Sequence, residues 1–252
     1  MSAKPASILI TGASSGIGSA LALHYAAAGV TLFISGRDRE RLEAMAKQCR
    51  ERGATVHSWV GDVTDEAAIG HWIRDCDRQC PLNLVIANAG IALGSADVSG
   101  LHRAAVDSFD VNVKGVFNTI HPALEVMSGR RPYPVNNAQI AVMASVMGYI
   151  GTARSPAYSA SKAAVKHYGQ ALRGAVRGMG IGVSVICPGY VSSGMIKNDM
   201  PFLIDADKAA TLIARGLAKN KARITFPWQV MLLASLAINL PGWLEDRLNK
   251  PW

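Results

Sequence analysis

Short apolar runs recur along the chain and alternate with longer segments in which apolar and charged residues are mixed. The runs are apolar or β-branched almost throughout, as in strands that are covered on both faces of a sheet. They span residues 7–11, 31–35, 55–60, 83–88, 139–145, 182–188 and 223–227. The segments between them have helical periodicity and span residues 16–28, 38–52, 65–79, 101–128, 157–179 and 205–219. Asp65 predicts a helix start, and Gly29, Gly53 and Gly180 predict helix ends. This alternation predicts the α/β class, as a Rossmann-type doubly wound sheet of about seven parallel strands with helices on both faces.

The composition agrees with one large and well-buried domain. Of the 252 residues, 50% are hydrophobic and 17% are charged, whereas a disordered chain would have the opposite balance. No repeat or low-complexity linker interrupts the chain, so we predict one domain over 1–252 with an apolar C-terminal extension at about 224–252. The net charge is +8, but cations and acids are mixed in stretches such as 36–53, as on a solvated helix face. Because no nucleic-acid motif accompanies this charge, nucleic acid is not a predicted partner.

The four cysteines do not form a pattern of metal ligands. Cys76 and Cys80 are four residues apart, but no second pair and no histidine follows at metal spacing. We therefore predict reduced thiols and no metal site. The apolar stretch 6–13 is too short for the hydrophobic region of a signal peptide and leads directly into a glycine-rich loop. These features favour a cytoplasmic protein.

The glycine-rich loop lies between the first predicted strand and the first predicted helix. Gly12, Gly16 and Gly18 have the spacing G-x-x-x-G-x-G, and an alanine-rich helix follows them. Glycines at this place let the backbone approach a pyrophosphate, and the helix N-terminus offers free N–H groups to the phosphates. The setting predicts a dinucleotide-binding loop.

The end of the second predicted strand bears on the choice of cofactor. Asp38 lies at the distance from the glycines where an acid that binds the NAD ribose is expected. However, Gly36 closes the strand and Arg37 follows it, and a guanidinium there can pair with a 2′-phosphate. Ser14 and Ser15 add hydroxyl donors. We therefore predict that NADP(H) is preferred and that NAD(H) is possible, and the alternative is that Arg37 is only a solvated residue at a helix start.

A tyrosine and a lysine lie four residues apart in the predicted helix 157–179. This spacing places Tyr158 and Lys162 on one helix face, one turn apart. An ammonium near a phenol favours the phenolate, and we expect it to lower the pKa of Tyr158 from about 10. Ser145, at the end of a predicted strand, is a candidate hydrogen-bond donor to a substrate oxygen. The alternative is an amphipathic pair that lies along a surface.

Seven motifs in sequence order resemble those of the short-chain dehydrogenase/reductase (SDR) family, and the match covers about residues 5–200. The motifs are TGASSGIG (11–18), GDVTD (61–65), NAG (88–90), VNVKGVFN (111–118), MASVMG (143–148), YSASK (158–162) and PGYVSS (188–193). The resemblance implies a Rossmann domain and an oxidoreductase that interconverts a carbonyl and a secondary alcohol by hydride transfer. It also implies that Tyr158 transfers the proton, Lys162 tunes it and binds the nicotinamide ribose, and Ser145 orients the carbonyl. Asn112 would hold a water that links Lys162 to solvent.

The resemblance also implies a set of cofactor-binding residues and an oligomer. The residues are Gly12, Ser14, Ser15, Gly16, Ile17, Gly18, Arg37, Asp62, Val63, Asn88, Ala89, Gly90, Tyr158, Lys162, Pro188, Gly189, Val191 and Ser193. At Ser193 the family usually has Thr, and the hydroxyl is kept. Family members are often homodimers or homotetramers built on the two long helices, here 101–128 and 157–179. Two alternatives stay open: an epimerase or dehydratase of the related extended family, and a sensor or scaffold that binds NADP(H) without turnover.

The sequence gives less specific predictions for the substrate-binding loops and for the C-terminal region. The loops 91–98, 146–151 and 190–204 are expected to form the substrate walls, and the last, being apolar, is either a mobile lid or an ordinary surface loop. Lipids, steroids, sugars and other carbonyl compounds remain open as substrates. Residues 224–244 carry no charge and are interrupted by Pro227 and Pro241. This segment is a helix packed on the core or a subunit interface, a peripheral membrane foot, or a membrane span.

Overall fold

The computed structural model describes residues 6–94, 97–130, 137–192 and 202–237. All seven predicted strands are present. They are β1 (Ser7–Ile10), β2 (Thr31–Gly36), β3 (Thr55–Val60), β4 (Leu84–Ala87), β5 (Ala138–Met143), β6 (Ile181–Pro188) and β7 (Arg223–Phe226). The α-helices are α1 (Gly16–Tyr25), α2 (Arg39–Glu51), α3 (Glu66–Gln79), α4 (Val98–Phe109), α5 (Gly115–Ser128), α6 (Pro156–Ala175), α7 (Ala206–Ala218) and α8 (Trp228–Ala237).

The strands form one parallel sheet in the order β3-β2-β1-β4-β5-β6-β7. The chain starts in the middle of the sheet, builds one half outward from β1 to β3, and returns to build the other half from β4 to β7. The connections after β1 and β4 therefore diverge to opposite faces and leave a crevice at the carboxyl ends of these strands. In open α/β sheets, ligands bind at this place.

Two apolar layers cover the sheet, one on each face. Alternating side chains of a strand point to opposite faces, so Ile8 of β1 packs on one side with α1, α2 and α7. Leu9 packs on the other side with α3, α5 and α6. Both side chains are fully buried, as expected for strands covered on both faces. The predicted fold class is therefore confirmed.

Asp65 and Gly53 mark helix ends as predicted, whereas α1 ends at Tyr25, before Gly29, and the interior of one long helix differs from the prediction. Asp65 caps α3, because its carboxylate accepts a hydrogen bond of 3.0 Å from the N–H of Ala68. Gly29, Gly53 and Gly180 adopt left-handed φ angles of 79°, 90° and 77°, which favour glycine.

The predicted helix 101–128 instead begins at Val98 and contains a π-helical turn, Asp110–Lys114, between α4 and α5. The predicted helix 157–179 ends at Ala175 and is followed by a 3₁₀ turn, Arg177–Met179.

The start of the apolar C-terminal extension belongs to the sheet. Residues 224–226 lie in β7, and α8 follows and packs against the loop after β6, where a Cβ at Gly189 would lie 3.7 Å from Val230. Trp228 and Leu232 are nevertheless 69% and 52% exposed. No described helix is both long enough and apolar enough to span a membrane, and residues 238–252 lie outside the described chain.

Candidate functional site

A cleft of about 400 Å³ opens at the crevice between the two halves of the sheet. It is lined by residues from the loops after β1 to β6 and by α6, and most of the predicted site residues are among them. These are Gly12, Ser14, Ser15, Gly16, Ile17, Arg37, Asp62, Val63, Asn88, Ala89, Gly90, Ser145, Tyr158, Lys162, Pro188, Gly189 and Val191. Gly18 and Asn112 do not line the cleft. Ser193 and most of the expected lid at 190–204 lie outside the described residues.

The glycine loop is shaped for a close backbone approach. Gly12 and Gly16 have left-handed φ angles of 68° and 58°, and α1 begins at Gly16 with its free N–H groups at the cleft. Gly18 has a different role from the other two, because a Cβ there would lie 2.2 Å from the carbonyl oxygen of Gly12. It lets helix and loop pack together and lies behind the cleft.

Asn88 holds the glycine loop from the neighbouring strand. Its amide group donates hydrogen bonds to the carbonyl oxygens of Thr11, at 2.9 Å, and Gly12, at 3.1 Å. In return the hydroxyl of Thr11 accepts the backbone N–H groups of Asn88 and Ala89, both at 3.1 Å. Sequence reasoning missed Thr11, which is buried and far from residue 88 along the chain.

Arg37 and Asp62 face each other across the end of the cleft beside β2 and β3. Their charged groups are 3.6 Å apart, with side chains 66% and 39% exposed. Asp62 also accepts hydrogen bonds from the backbone and hydroxyl of Thr64, both at 2.9 Å. Asp38, in contrast, caps α2 through the N–H of Arg41 and is not a free ribose-binding acid.

Asn118 of α5 holds the loop after β3 in place through a hydrogen bond. Its amide donates a hydrogen bond of 2.9 Å to the carbonyl oxygen of Val63, and it is largely buried. Sequence reasoning missed this residue, although it is the last residue of the motif at 111–118.

Ser145 follows β5 and begins a 3₁₀ turn, Val146–Gly148. Its hydroxyl accepts the N–H of Met147 at 3.1 Å and donates to the carbonyl oxygen of Pro188 at 3.4 Å. The turn rests on the backbone of α6, since a Cβ at Gly148 would lie 2.7 Å from the carbonyl oxygen of Lys162. The position of Ser145 is therefore coupled to that of α6.

Tyr158 and Lys162 lie on one face of α6 and line the cleft. The Lys162 ammonium is 5.8 Å from the centre of the Tyr158 ring and donates a hydrogen bond of 2.9 Å to the carbonyl oxygen of Met143. Lys162 is only 4% exposed. Because Ser145 also interacts with Tyr158, three polar side chains converge at one point of the cleft.

Burial has the largest effect on the pKa values of both Tyr158 and Lys162. It raises the pKa of Tyr158, and the hydrogen bond with Ser145 offsets part of this rise. Burial also lowers the pKa of Lys162 from 10.5 to about 8, and the buried Cys187 offsets part of this shift. In the protein by itself the pKa of Tyr158 therefore moves opposite to the predicted direction, because desolvation by burial has the largest effect on it.

Asn112 lies in the π-helical turn and is fully buried. Its side chain accepts the N–H of Ile91 at 2.8 Å and donates to the Ile91 carbonyl oxygen at 2.9 Å. It also donates to the hydroxyl of Ser161 at 3.0 Å, and that hydroxyl donates to the carbonyl oxygen of Tyr158 at 2.8 Å. Asn112 thus joins the loop after β4 to the helix that carries Tyr158 and Lys162.

The space between Asn112 and Lys162 exists because residue 90 is a glycine. A Cβ there would lie 3.0 Å from the carbonyl oxygen of the Asn112 side chain and 3.1 Å from the Lys162 ammonium nitrogen. The water that Asn112 would hold next to Lys162 stays a prediction.

The chain is similar to a known protein family and to known oxidoreductases. A family model described as short chain dehydrogenase matches residues 6–202. An uncharacterized oxidoreductase of Myxococcus xanthus is 35% identical over 94% of this chain and 94% of its own length. A granaticin polyketide synthase putative ketoacyl reductase 1 of Streptomyces violaceoruber is 34% identical over 77% of this chain and 70% of its own length.

One solved structure shares the architecture over nearly its whole length. A short-chain dehydrogenase from Sphingobium yanoikuyae in complex with NADPH has a TM-score of 0.77 and covers 95% of each chain. At 24% identity this likeness shows the fold alone.

Proposed function

The chain belongs to the short-chain dehydrogenase/reductase family of oxidoreductases, and on that premise we propose that it uses NADP(H) to interconvert a carbonyl and a secondary alcohol. One observation carries this proposal. Ser145, Tyr158 and Lys162 converge in a cleft that also contains the glycine loop. A dinucleotide-binding protein without turnover has no need for a polar group that donates a proton at this place.

The residues of the cleft fit a dinucleotide. Gly12 and Gly16 have left-handed φ angles, and a Cβ at Gly12 would lie 2.8 Å from the Cα of Ala89. The N-terminus of α1 supports a pyrophosphate at this loop. When bound, the nicotinamide supplies or accepts a hydride.

Side chains of the protein bind the substrate oxygen and transfer its proton. The hydroxyl of Ser145 donates a hydrogen bond to the substrate oxygen and orients it, and Tyr158 gives a proton to that oxygen during reduction and takes it back during oxidation. Its elevated pKa keeps Tyr158 protonated, as reduction requires. Lys162 lies close enough to stabilise the phenolate electrostatically after transfer.

Two features of the β2 end support a preference for NADP(H). Gly36 places no carboxylate at the end of the strand, and Asp38 is engaged as a helix cap. Arg37 is largely exposed at the edge of the cleft, and its ion pair with Asp62 is long, so its guanidinium is available to a phosphate. The NADPH in the Sphingobium protein agrees with this preference.

The activity is tested by a screen of ketones, aldehydes, sugars and acyl thioesters with NADPH, followed at the cofactor absorbance. The name of the Streptomyces relative is the reason to include ketoacyl thioesters. We expect Tyr158→Phe to lower kcat at least about 100-fold, because it removes the proton donor. The matched control is Tyr168→Phe on the same helix, which should keep its activity because Tyr168 bonds to His121 outside the cleft. An active Tyr158→Phe variant would contradict the mechanism, and tight NADPH binding without turnover would favour a sensor.

The cofactor preference is tested by measuring the Kd of NADPH and NADH with Arg37→Ala. We expect NADPH binding to weaken about tenfold or more, the effect of losing a charged hydrogen bond, and NADH binding to stay unchanged. Arg39→Ala is the control, since Arg39 is exposed in the first turn of α2 and does not line the cleft. An Arg37→Ala variant that keeps the preference of the unmodified protein shows that another group selects the phosphate.

A further inference from the structure

The 3₁₀ turn after Ser145 ends at a second aromatic residue, Tyr149. The carbonyl oxygen of Ser145 accepts the N–H of Gly148 at 3.0 Å, and that of Val146 accepts the N–H of Tyr149 at 3.1 Å. Ser145 and Tyr149 are thus the two ends of one compact hydrogen-bonded unit. A displacement of Tyr149 moves the turn and, with it, the hydroxyl of Ser145.

Three elements of the fold hold the side chain of Tyr149. The Lys166 ammonium of α6 lies 3.7 Å from the centre of its ring. Arg223 of β7 donates a hydrogen bond of 3.1 Å to its hydroxyl, which in turn lies 3.9 Å from the sulfur of Cys187 in β6. Tyr149 does not line the cleft, so these contacts are not explained by ligand binding.

Lys166 is an unusual partner because it is a buried lysine. The residue is 6% exposed, and among the described residues no carboxylate lies within ion-pair distance of it. Burial lowers its pKa, and Arg223 adds to that effect while Cys187 opposes it. The Tyr149 ring face therefore supplies an attraction that offsets part of the lost hydration, since the negative face of an aromatic ring attracts a cation above it.

The two buried lysines of α6 contact both ends of the same segment. Lys162 binds the carbonyl oxygen of Met143, two residues before Ser145, and its own carbonyl lies against Gly148. Lys166, one helical turn further on, holds Tyr149. The segment that presents Ser145 is thus set in register with the helix that presents Tyr158.

We propose that Lys166 is a positioning residue, which acts through Tyr149 to hold the Ser145 hydroxyl in place for carbonyl reduction. The proposal rests on the proposed function, because it assigns Ser145 to the substrate oxygen. Lys166 itself does not line the cleft.

The test compares Lys166→Met, which keeps the length of the side chain without the charge, with Lys166→Arg, which keeps a cation for the ring. On the best substrate of the screen, Lys166→Met lowers kcat about tenfold, the effect expected from a displaced catalytic group. The Kd of NADPH stays unchanged, because neither Lys166 nor Tyr149 lines the cleft. Lys166→Arg restores most of kcat. Lys208→Met, at an exposed lysine of α7, is the control and keeps full activity.

Variants of Tyr149 test the same contact between Lys166 and Tyr149 by changing the ring instead of the cation. Tyr149→Phe keeps the ring and most of kcat, whereas Tyr149→Leu loses kcat as Lys166→Met does. The double variant Lys166→Met/Tyr149→Leu loses no more than either single variant, because both remove one contact. This series also decides the question if Lys166→Met does not fold.

The outcomes separate this proposal from the proposed function. If Tyr158→Phe is inactive but Lys166→Met and Tyr149→Leu keep full kcat, the positioning role is wrong and the proposed function stands. If the losses of kcat in Lys166→Met and Tyr149→Leu multiply in the double variant, the role is likewise overturned. The same holds if Lys166→Arg is as slow as Lys166→Met. An active Tyr158→Phe variant instead contradicts the proposed function itself.

Discussion

Lys162 shows how burial at a single residue opposes the charge that its proposed function needs. Its ammonium is removed from water and bonded only to the Met143 carbonyl among the described residues, so its pKa falls to about 8. The charged form therefore costs stability in the folded protein. Residues of this kind are retained for function rather than for folding.

This cost makes the stability of the protein depend on pH. The folded pKa of Lys162 lies below its usual 10.5, so between about pH 8 and 10 the unfolded chain binds more protons than the folded one. Lys162 therefore stabilises the fold increasingly as pH rises from 7.5 to 9.5, whereas the thiols of Cys49, Cys76 and Cys187, whose pKa burial raises, have the opposite effect. We expect the free energy of unfolding of Lys162→Met, relative to that of the unmodified protein, to fall as pH rises over this range, because the variant lacks the contribution of Lys162.

The measurement is denaturant unfolding of the protein without cofactor at several pH values in this range. Lys47→Met, at an exposed lysine of α2, should have the same pH dependence as the unmodified protein. An identical pH dependence in Lys162→Met and the unmodified protein would show that the ammonium is not desolvated as described.

At the scale of elements, the long helix 98–128 holds two loops of the cleft in place, one through its π-helical turn and one through α5. Asn112, in the turn itself, holds the loop after β4, and Asn118, in α5, holds the loop after β3. Turns of this kind often occur at functional sites, because the extra residue changes which side chains face inward. The helix therefore supports the cleft from behind at two points.

We expect Asn118→Ala to weaken cofactor binding at the end of the cleft beside Asp62. Loss of the bond to the Val63 carbonyl leaves a buried acceptor without its partner, which costs about 1–3 kcal/mol of stability. The loop that carries Asp62 becomes less well held, so the Kd of NADPH should increase while kcat at saturating cofactor stays close to that of the unmodified protein. Fluorescence titration and steady-state kinetics measure the two effects. Ser128→Ala, at the exposed end of the same helix, is the control, and equal affinities of the two variants would contradict the role of Asn118.

At the scale of the whole molecule, groups of large apolar side chains are exposed on two of the described helices. Leu101, Val106 and Phe109 are exposed on α4, and Trp228 and Leu232 on α8. The first group lies on one of the two long helices that commonly form the subunit interface in this family. An exposed apolar patch of this kind often marks an interaction surface.

We expect the unmodified protein to be an oligomer and Val106→Glu/Phe109→Glu to dissociate it, because burying two carboxylates in an interface is costly. Light scattering after size-exclusion chromatography measures the mass in each case. The matched control is Trp228→Glu/Leu232→Glu on α8, which should leave the mass unchanged. Dissociation by the α8 pair alone would place the interface on the C-terminal helix, and a monomeric unmodified protein would contradict the prediction altogether.

Much of the fold was predictable from the sequence, because the signals for strands and turns lie within short segments of the chain. Continuous apolar runs mark strands that are buried on both faces, and glycines mark the places where a left-handed φ is needed. The family motifs name most of the residues that line the cleft, since each motif lies where a strand ends and all strands of a parallel sheet end at one edge.

The sequence by itself determined the class of fold, the dinucleotide loop and the pairing of Tyr158 with Lys162, because each depends on spacing within a few residues. Only the tertiary structure decided which distant groups support them. The partners of Thr11 and Asn118 are 77 and 55 residues away along the chain, and no local pattern specifies such pairs. The directions of the pKa shifts of Tyr158 and Lys162 were also decided there, because a pKa depends on how completely the folded chain excludes water from the charged group.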